Sequence, residues 1–153
     1  MSTQSIVIKS PIGPLKLTAD ESHLISVHFV EEAEHPETES DNVVLKHASE
    51  QIRQFFNRER KAFDLPLKIE GTAFQQEVWK ALQAIPYGET RSYQQLAESI
   101  QRPKAVRAVG QANKVNRFPV IIPCHRVIGK NKTLTGYAGK QVDKKETLLQ
   151  LEQ

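Results

Sequence analysis

The sequence predicts an α+β chain: a small antiparallel sheet with one covering helix, then a mostly helical half containing a helix-turn-helix. Three observations carry this. Apolar residues alternate with period two over the first thirty positions, they switch to helical spacing after Asp41, and the charge changes sign near position 70. With 153 residues, 39% hydrophobic and 25% charged, the chain has the material of an ordinary globular protein with an internal division, not of a disordered or fibrous one.

Ile6 and Ile8, then Leu15 and Leu17, then Leu24, Ile25, Val27 and Phe29 form three alternating runs. Pro11, Gly13 and Pro14 separate the first two, and Ala19 to Ser22 the second and third, which is the pattern of an antiparallel meander. Glu31 to Asp41 holds six acids, Pro36 and no Lys or Arg, and reads as a solvated loop. Asp41 is placed to cap a helix with Val44, Ala48, Ile52 and Phe55 or Phe56 on one face, ahead of the charged run Arg58 to Lys61. Ala62 to Gly71 reads as an extended linker, because Pro66 disfavours helix at Leu65. The boundary between the two parts, 1–70 and 71–153, falls here.

Thr72 and Gln75 have the form of a capping box opening a helix with Phe74, Val78, Leu82 and Ile85 at helical spacing. Ser92 and Gln95 repeat the signature ahead of Leu96 and Ile100, and Pro103 suits the first turn of a further helix from about Lys104 to Asn113. Two short helices joined tightly, the second positively charged, match a helix-turn-helix, a pattern also common in helical cores that bind no DNA. Val120 to Ile122 reads as a short buried strand, and a last helix runs from about Asp143 through Leu151.

The net charge of +3 hides an asymmetry: residues 1–70 carry 8 Lys and Arg against 12 Asp and Glu, and residues 71–153 carry 13 against 6. Between Glu98 and Asp143 there is no acid, while Arg102, Lys104, Arg107, Lys114, Arg117, Arg126, Lys130, Lys132 and Lys140 all fall there. A one-sign field of this kind attracts polyanions, nucleic acid above all; the plain alternative is a merely solvated basic face. No apolar stretch approaches the ~18 residues of a membrane span, and the start MSTQSIVIKSPIGP has no basic leader or small-residue cleavage site, so a cytoplasmic location is expected. One cysteine rules out an intramolecular disulfide and a four-thiolate zinc site. His23, His28, His35 and His47 show no ligand spacing, and no metal is expected.

That cysteine, Cys124, stands between Pro123 and His125 in "FPVIIPCHRVIG". A lone intracellular cysteine is commonly an inert buried hydrophobe. Here Pro123 ends regular pairing, and His125 and Arg126 supply the electropositive surroundings that move a thiol toward the thiolate. Successive side chains on a strand diverge, so His125 reaches the sulfur only if the chain turns here or through a bridging water.

In order along the chain come "FQQEVW", "IPYGETRSYQQLA", "AVRAVGQAN", Asn116 ahead of "PVIIPCHRVIG", then "LTGYAG" and "LLQLE". With these, and most specifically with Pro-Cys-His-Arg-Val, the chain from about Thr72 through Glu152 resembles the O6-alkylguanine-DNA alkyltransferases. The resemblance implies a ribonuclease-H-like sheet-plus-helix over 1–70 and a winged-helix-like DNA-binding and alkyl-transfer domain over 71–153. It implies direct reversal of damage: the lesion base is rotated out of duplex DNA, and the alkyl group of O6-alkylguanine, and of O4-alkylthymine, passes irreversibly to Cys124, so each molecule acts once. A monomer without cofactor, metal or membrane partner is implied, its partner being double-stranded DNA with alkylated guanine.

By motif position, the same resemblance makes Cys124 the nucleophile, His125 the base acting through water, Glu152 its orienting carboxylate and Asn116 a brace for the local backbone. Tyr93, Val127, Tyr137 and Ala138 line the base pocket, with alanine at 138 where many relatives have serine. The helix from Lys104 meets the minor groove, Arg107 fills the gap left by the flipped base, and Gln94, Arg102, Lys104 and Ala105 are DNA neighbours. The competing classes are a catalytically silent lesion-binding relative, which commonly replaces the cysteine, a plain helix-turn-helix regulator, and a thiol hydrolase needing a histidine from elsewhere in the fold.

Overall fold

The computed structural model describes residues 2–31, 38–129 and 142–153. They fall into two compact units, Met1–Ile69 and Glu70–Gln153.

In the first unit, β1 (Gln4–Ile8), β2 (Leu15–Ala19) and β3 (Leu24–Phe29) form the antiparallel meander that the alternation predicts, in the order β1-β2-β3. Ile6 pairs with Leu17 and Leu17 with Val27, which lines one face with aliphatic side chains. Helix α1 (Val43–Phe56) packs on the sheet and buries Val44, Leu45, Ala48, Ile52 and Phe55. Its cap is Asn42 and not Asp41. The Asn42 side chain accepts from the Leu45 amide at 2.9 Å while its Nδ2 donates to the Asp20 carbonyl at 2.9 Å. An amide can do both; a carboxylate can only accept.

The segment expected as a linker also pairs. The Leu24 amide donates to the Pro66 carbonyl at 2.7 Å and the Lys68 amide to the Leu24 carbonyl at 2.8 Å, a one-residue parallel bridge at Leu67 beside β3. Of the acidic loop, residues 32–37 lie outside the described residues. Its far end is tied to β1, where the Val7 amide donates to the Thr38 hydroxyl at 2.8 Å.

The second unit holds α2 (Ala73–Gln83), β4 (Arg91–Ser92), α3 (Tyr93–Ser99), α4 (Val106–Lys114), a 3-10 turn over Cys124–Arg126, β5 (Val127–Ile128) and α5 (Val142–Leu151). Both capping boxes are formed: Thr72 with Gln75, and Ser92 with Gln95. Helices α2, α3 and α4 pack on one another. Trp79 fastens α2 to α4, its indole Nε1 donating to the Ala112 carbonyl at 2.9 Å. Helices α3 and α4 are the helix-turn-helix pair, but α4 starts at Val106 and not at Lys104. The Ala105 amide donates to the Arg102 carbonyl, so Pro103 lies in the turn ahead of the helix.

Val120 to Ile122 is a buried turn, not a strand. The Ile122 amide bonds back to the Phe118 carbonyl at 2.8 Å, and Val120 has φ 76°, a left-handed conformation that a β-branched residue rarely adopts. The strand in this region is β5, parallel to β4, with Val127 opposite Arg91 and Ile128 opposite Ser92.

Candidate active site

The turn over Phe118 to Ile122 owes its shape to Asn116, two residues past α4. Its Oδ1 accepts from the Phe118 amide at 2.9 Å, and its Nδ2 donates to the Ile122 carbonyl at 2.9 Å and to Sγ of Cys124 at 3.2 Å. One side chain thus fixes the backbone ahead of the cysteine and touches the sulfur. A 3-10 turn over Cys124–Arg126 replaces the strand geometry in which successive side chains alternate.

His125 is completely buried, and its Nε2 lies 2.6 Å from Oε2 of Glu152. Glu152 follows α5 directly and is held by four hydrogen bonds from three residues. Arg126 donates to both carboxylate oxygens, at 2.9 and 3.0 Å. The Gly88 amide donates to Oε1 at 3.1 Å, and His125 takes the remaining side. Gly88 has φ 82°, and a Cβ there would stand 3.2 Å from the Glu152 carbonyl oxygen, so glycine meets both demands. Arg126 also donates to the Ile85 carbonyl at 2.7 Å and lies 5.6 Å from the centroid of the Tyr87 ring.

The electrostatics differ from the expectation at one point. Cys124 is 2% exposed, and burial pushes its thiol up to about 11, against the Asn116 hydrogen bond and the charge of Lys145. The sulfur therefore rests as a thiol and not as the thiolate expected from His125 and Arg126. The reason is direct: Arg126 spends its charge on Glu152, and burial holds the pKa of His125 down, so His125 rests neutral. Burial works to raise the Glu152 carboxyl, but the hydrogen bonds from His125 and Arg126 and the charge of Arg126 outweigh it and bring it down to about 2.

Sequence reasoning missed Lys145. It is completely buried, its ammonium interacts electrostatically with Cys124, and its Nζ stands 5.9 Å from the centroid of the Tyr93 ring. Burial lowers it to about 8, opposed by the charge that Cys124 can carry. One signal was available: Lys145, Leu148 and Glu152 fall on a single helical stripe, the buried one.

Of the residues singled out, Cys124, His125, Asn116 and Glu152 come together, with Val127 buried in the next strand and Tyr93 half-buried beside Lys145. Tyr137 and Ala138 lie outside the described residues. Arg107 and Lys104 are exposed and Ala105 is half-buried. Gln94 donates to the Pro103 carbonyl at 3.2 Å. Arg102 is engaged within the protein, paired with Glu77 at 3.0 Å and 5.7 Å from the Phe74 ring centroid. Of the four other histidines, His23, His28 and His47 are exposed and His35 lies outside the described residues. Among the described residues no group of side chains could hold a metal ion, and no helix is long and apolar enough to cross a membrane.

A helix-turn-helix whose second helix leads into a hydrogen-bonded cysteine is a nucleic-acid-type scaffold with thiol chemistry built into it, and comparison with known proteins gives that class its name. Residues 73–153 match the family described as 6-O-methylguanine DNA methyltransferase, DNA binding domain, and residues 5–69 match its ribonuclease-like domain. The chain belongs to the 6-O-methylguanine DNA methyltransferase family. It is 49% identical over 150 residues to a methylated-DNA-protein-cysteine methyltransferase of Methanosarcina acetivorans, covering 95% of this chain and 96% of the relative. It is 46% identical over 155 residues to the constitutive enzyme of that name from Bacillus subtilis, covering 94% and 92%. The crystal structure of Mycobacterium tuberculosis OGT in complex with DNA is similar with a TM-score of 0.84 at 46% identity, over 95% of this chain and 90% of that one.

Proposed function

We propose that this protein is a methylated-DNA-protein-cysteine methyltransferase that repairs O6-alkylguanine in duplex DNA by moving the alkyl group to its own Cys124. The observation that carries the reading is the contact of Asn116 Nδ2 with Sγ of Cys124, one residue from the His125–Glu152 pair. A buried thiol hydrogen-bonded by an amide and flanked by an oriented imidazole is an activated nucleophile in waiting. Family membership and the DNA complex of a similar protein support duplex DNA as partner, and the basic run between Glu98 and Asp143 gives it the matching charge.

In this reading the lesion base is flipped from the helix while Arg107, exposed on α4, occupies the gap and offsets an unstacking cost of about a few kcal/mol. Tyr93, together with Val127, Tyr137 and Ala138, receives the base. The proton of Cys124 passes by way of a water to His125. With the Nε2 hydrogen directed at Glu152, the other ring nitrogen supplies the lone pair, and the ionised carboxylate stabilises the imidazolium. The ammonium of Lys145 favours the thiolate. The S–C bond forms as the C–O6 bond breaks, the electron pair leaves with the guanine, and a proton returned by way of Tyr93 leaves it neutral. The thioether has no route back, so one molecule repairs one base. O4-alkylthymine offers the same exocyclic alkoxy carbon and is a second substrate. A single copy suffices, because Cys124, His125, Asn116 and Glu152 belong to one chain, and the reduced cytoplasm keeps the thiol available.

Incubation with duplex containing O6-methylguanine should add one methyl mass to the peptide bearing Cys124, with at most one turnover per protein. Unmodified protein that still binds the lesion would replace this reading with silent lesion recognition. Affinity for DNA should fall steeply with salt.

A further inference from the structure

Asn113 lies in the last turn of α4 and is 1% exposed. Its Nδ2 donates to the carbonyl of Cys124 at 3.5 Å, the outer limit of a hydrogen bond, and its Oδ1 has no partner among the described residues. A buried amide so poorly satisfied costs folding stability. Places where a chain keeps a polar group against its own stability are where function is sought.

The surroundings say which function. Three residues on, Asn116 holds the Ile122 carbonyl, so the two asparagines suspend the backbone on either side of the Cys124 peptide from the end of one helix. The same helix carries Arg107 on its exposed side. Resting on the proposed alkyl transfer, we infer that Asn113 is a positioning residue for the nucleophile: its amide joins the Val127 amide on the Cys124 carbonyl and thereby sets the direction of the sulfur.

The test compares the full-length protein with Asn113→Leu, which removes the donor and keeps the branching of the side chain, and Asn113→Gln, which keeps a donor on a longer arm. The probe is duplex containing O6-methylguanine, with single-turnover transfer rate, DNA affinity and melting temperature measured in parallel. Asn113→Leu should transfer about tenfold or more slowly, since misplacing a reacting atom costs at least that much. Its affinity should be unchanged, and any fall in melting temperature should be too small to account for the rate. Asn113→Gln should recover part of the rate. Transfer by Asn113→Leu at the unsubstituted rate overturns the inference, as does a rate loss matched by parallel losses of affinity and melting temperature. If Asn113→Leu does not fold, Asn113→Gln decides: a reduced rate with affinity intact supports positioning, and an unaltered rate overturns it. Failure of the unsubstituted protein to transfer would instead sink the parent reading, so the two failures are distinguishable.

Discussion

Arg126 grips both carboxylate oxygens of Glu152, Nε at 2.9 Å from Oε1 and Nη2 at 3.0 Å from Oε2, with both side chains buried. The arginine of the Pro-Cys-His-Arg-Val motif is therefore spent on the carboxylate that faces His125. Arg126→Met removes the partner of a buried charge and should destabilise the fold by about 3–5 kcal/mol. A denaturant titration reads this as a lower midpoint at unchanged slope; an unmoved midpoint would mean that Glu152 is held well enough by His125 and Gly88.

Acid should unfold the protein through the same cluster. The folded pKa of Glu152 is about 2 against an ordinary 4.5, so its contribution is complete above pH 4.5 and lost as pH falls toward 2. His125 is held below its ordinary 6.5 by burial, so protonation in the unfolded chain draws stability down from pH 6.5. Melting temperature should fall in two overlapping steps below pH 6.5, and Glu152→Gln should remove the lower one. A profile flat from pH 7 to 3 would contradict both assignments.

Lys145→Met separates stability from reactivity. Loss of a buried ammonium should leave the melting temperature unchanged or higher, because desolvation of that charge is a cost. The thiol, already at about 11, should titrate still higher, and transfer should slow by about tenfold. Thiolate absorbance against pH and single-turnover kinetics check the two halves. A rate at the unsubstituted level would remove Lys145 from the reaction.

Arg107→Ala should slow repair of duplex DNA far more than reaction with free O6-methylguanine base, since only the duplex leaves a gap to fill. Equal losses on both substrates would dispose of the insertion role.

Local rules were the legible part of the sequence. Thr72 with Gln75 and Ser92 with Gln95 satisfy a cap three residues apart, and the strand runs alternate without help from distant residues. Where two neighbours could cap, as at Asp41 and Asn42, the second bond to Asp20 decided, and that bond spans 22 positions. The run Val120 to Ile122 looked like a strand because burial was visible in it and its carbonyl partner was not: the Ile122 carbonyl is satisfied by a side chain. The site residues were legible through a motif, but the state of the sulfur was not. Its ionisation depends on burial, set against the Asn116 hydrogen bond and the charge of Lys145, all fixed by tertiary packing.

The bond from Trp79 to the Ala112 carbonyl has a practical corollary. The chain has one tryptophan, and its indole is anchored on the helix that bears Arg107, Asn113 and, just beyond its end, Asn116. Intrinsic fluorescence therefore reports the seating of that helix from a single emitter, without a dye or label. A stopped-flow trace on mixing with duplex can time the docking step apart from the covalent one.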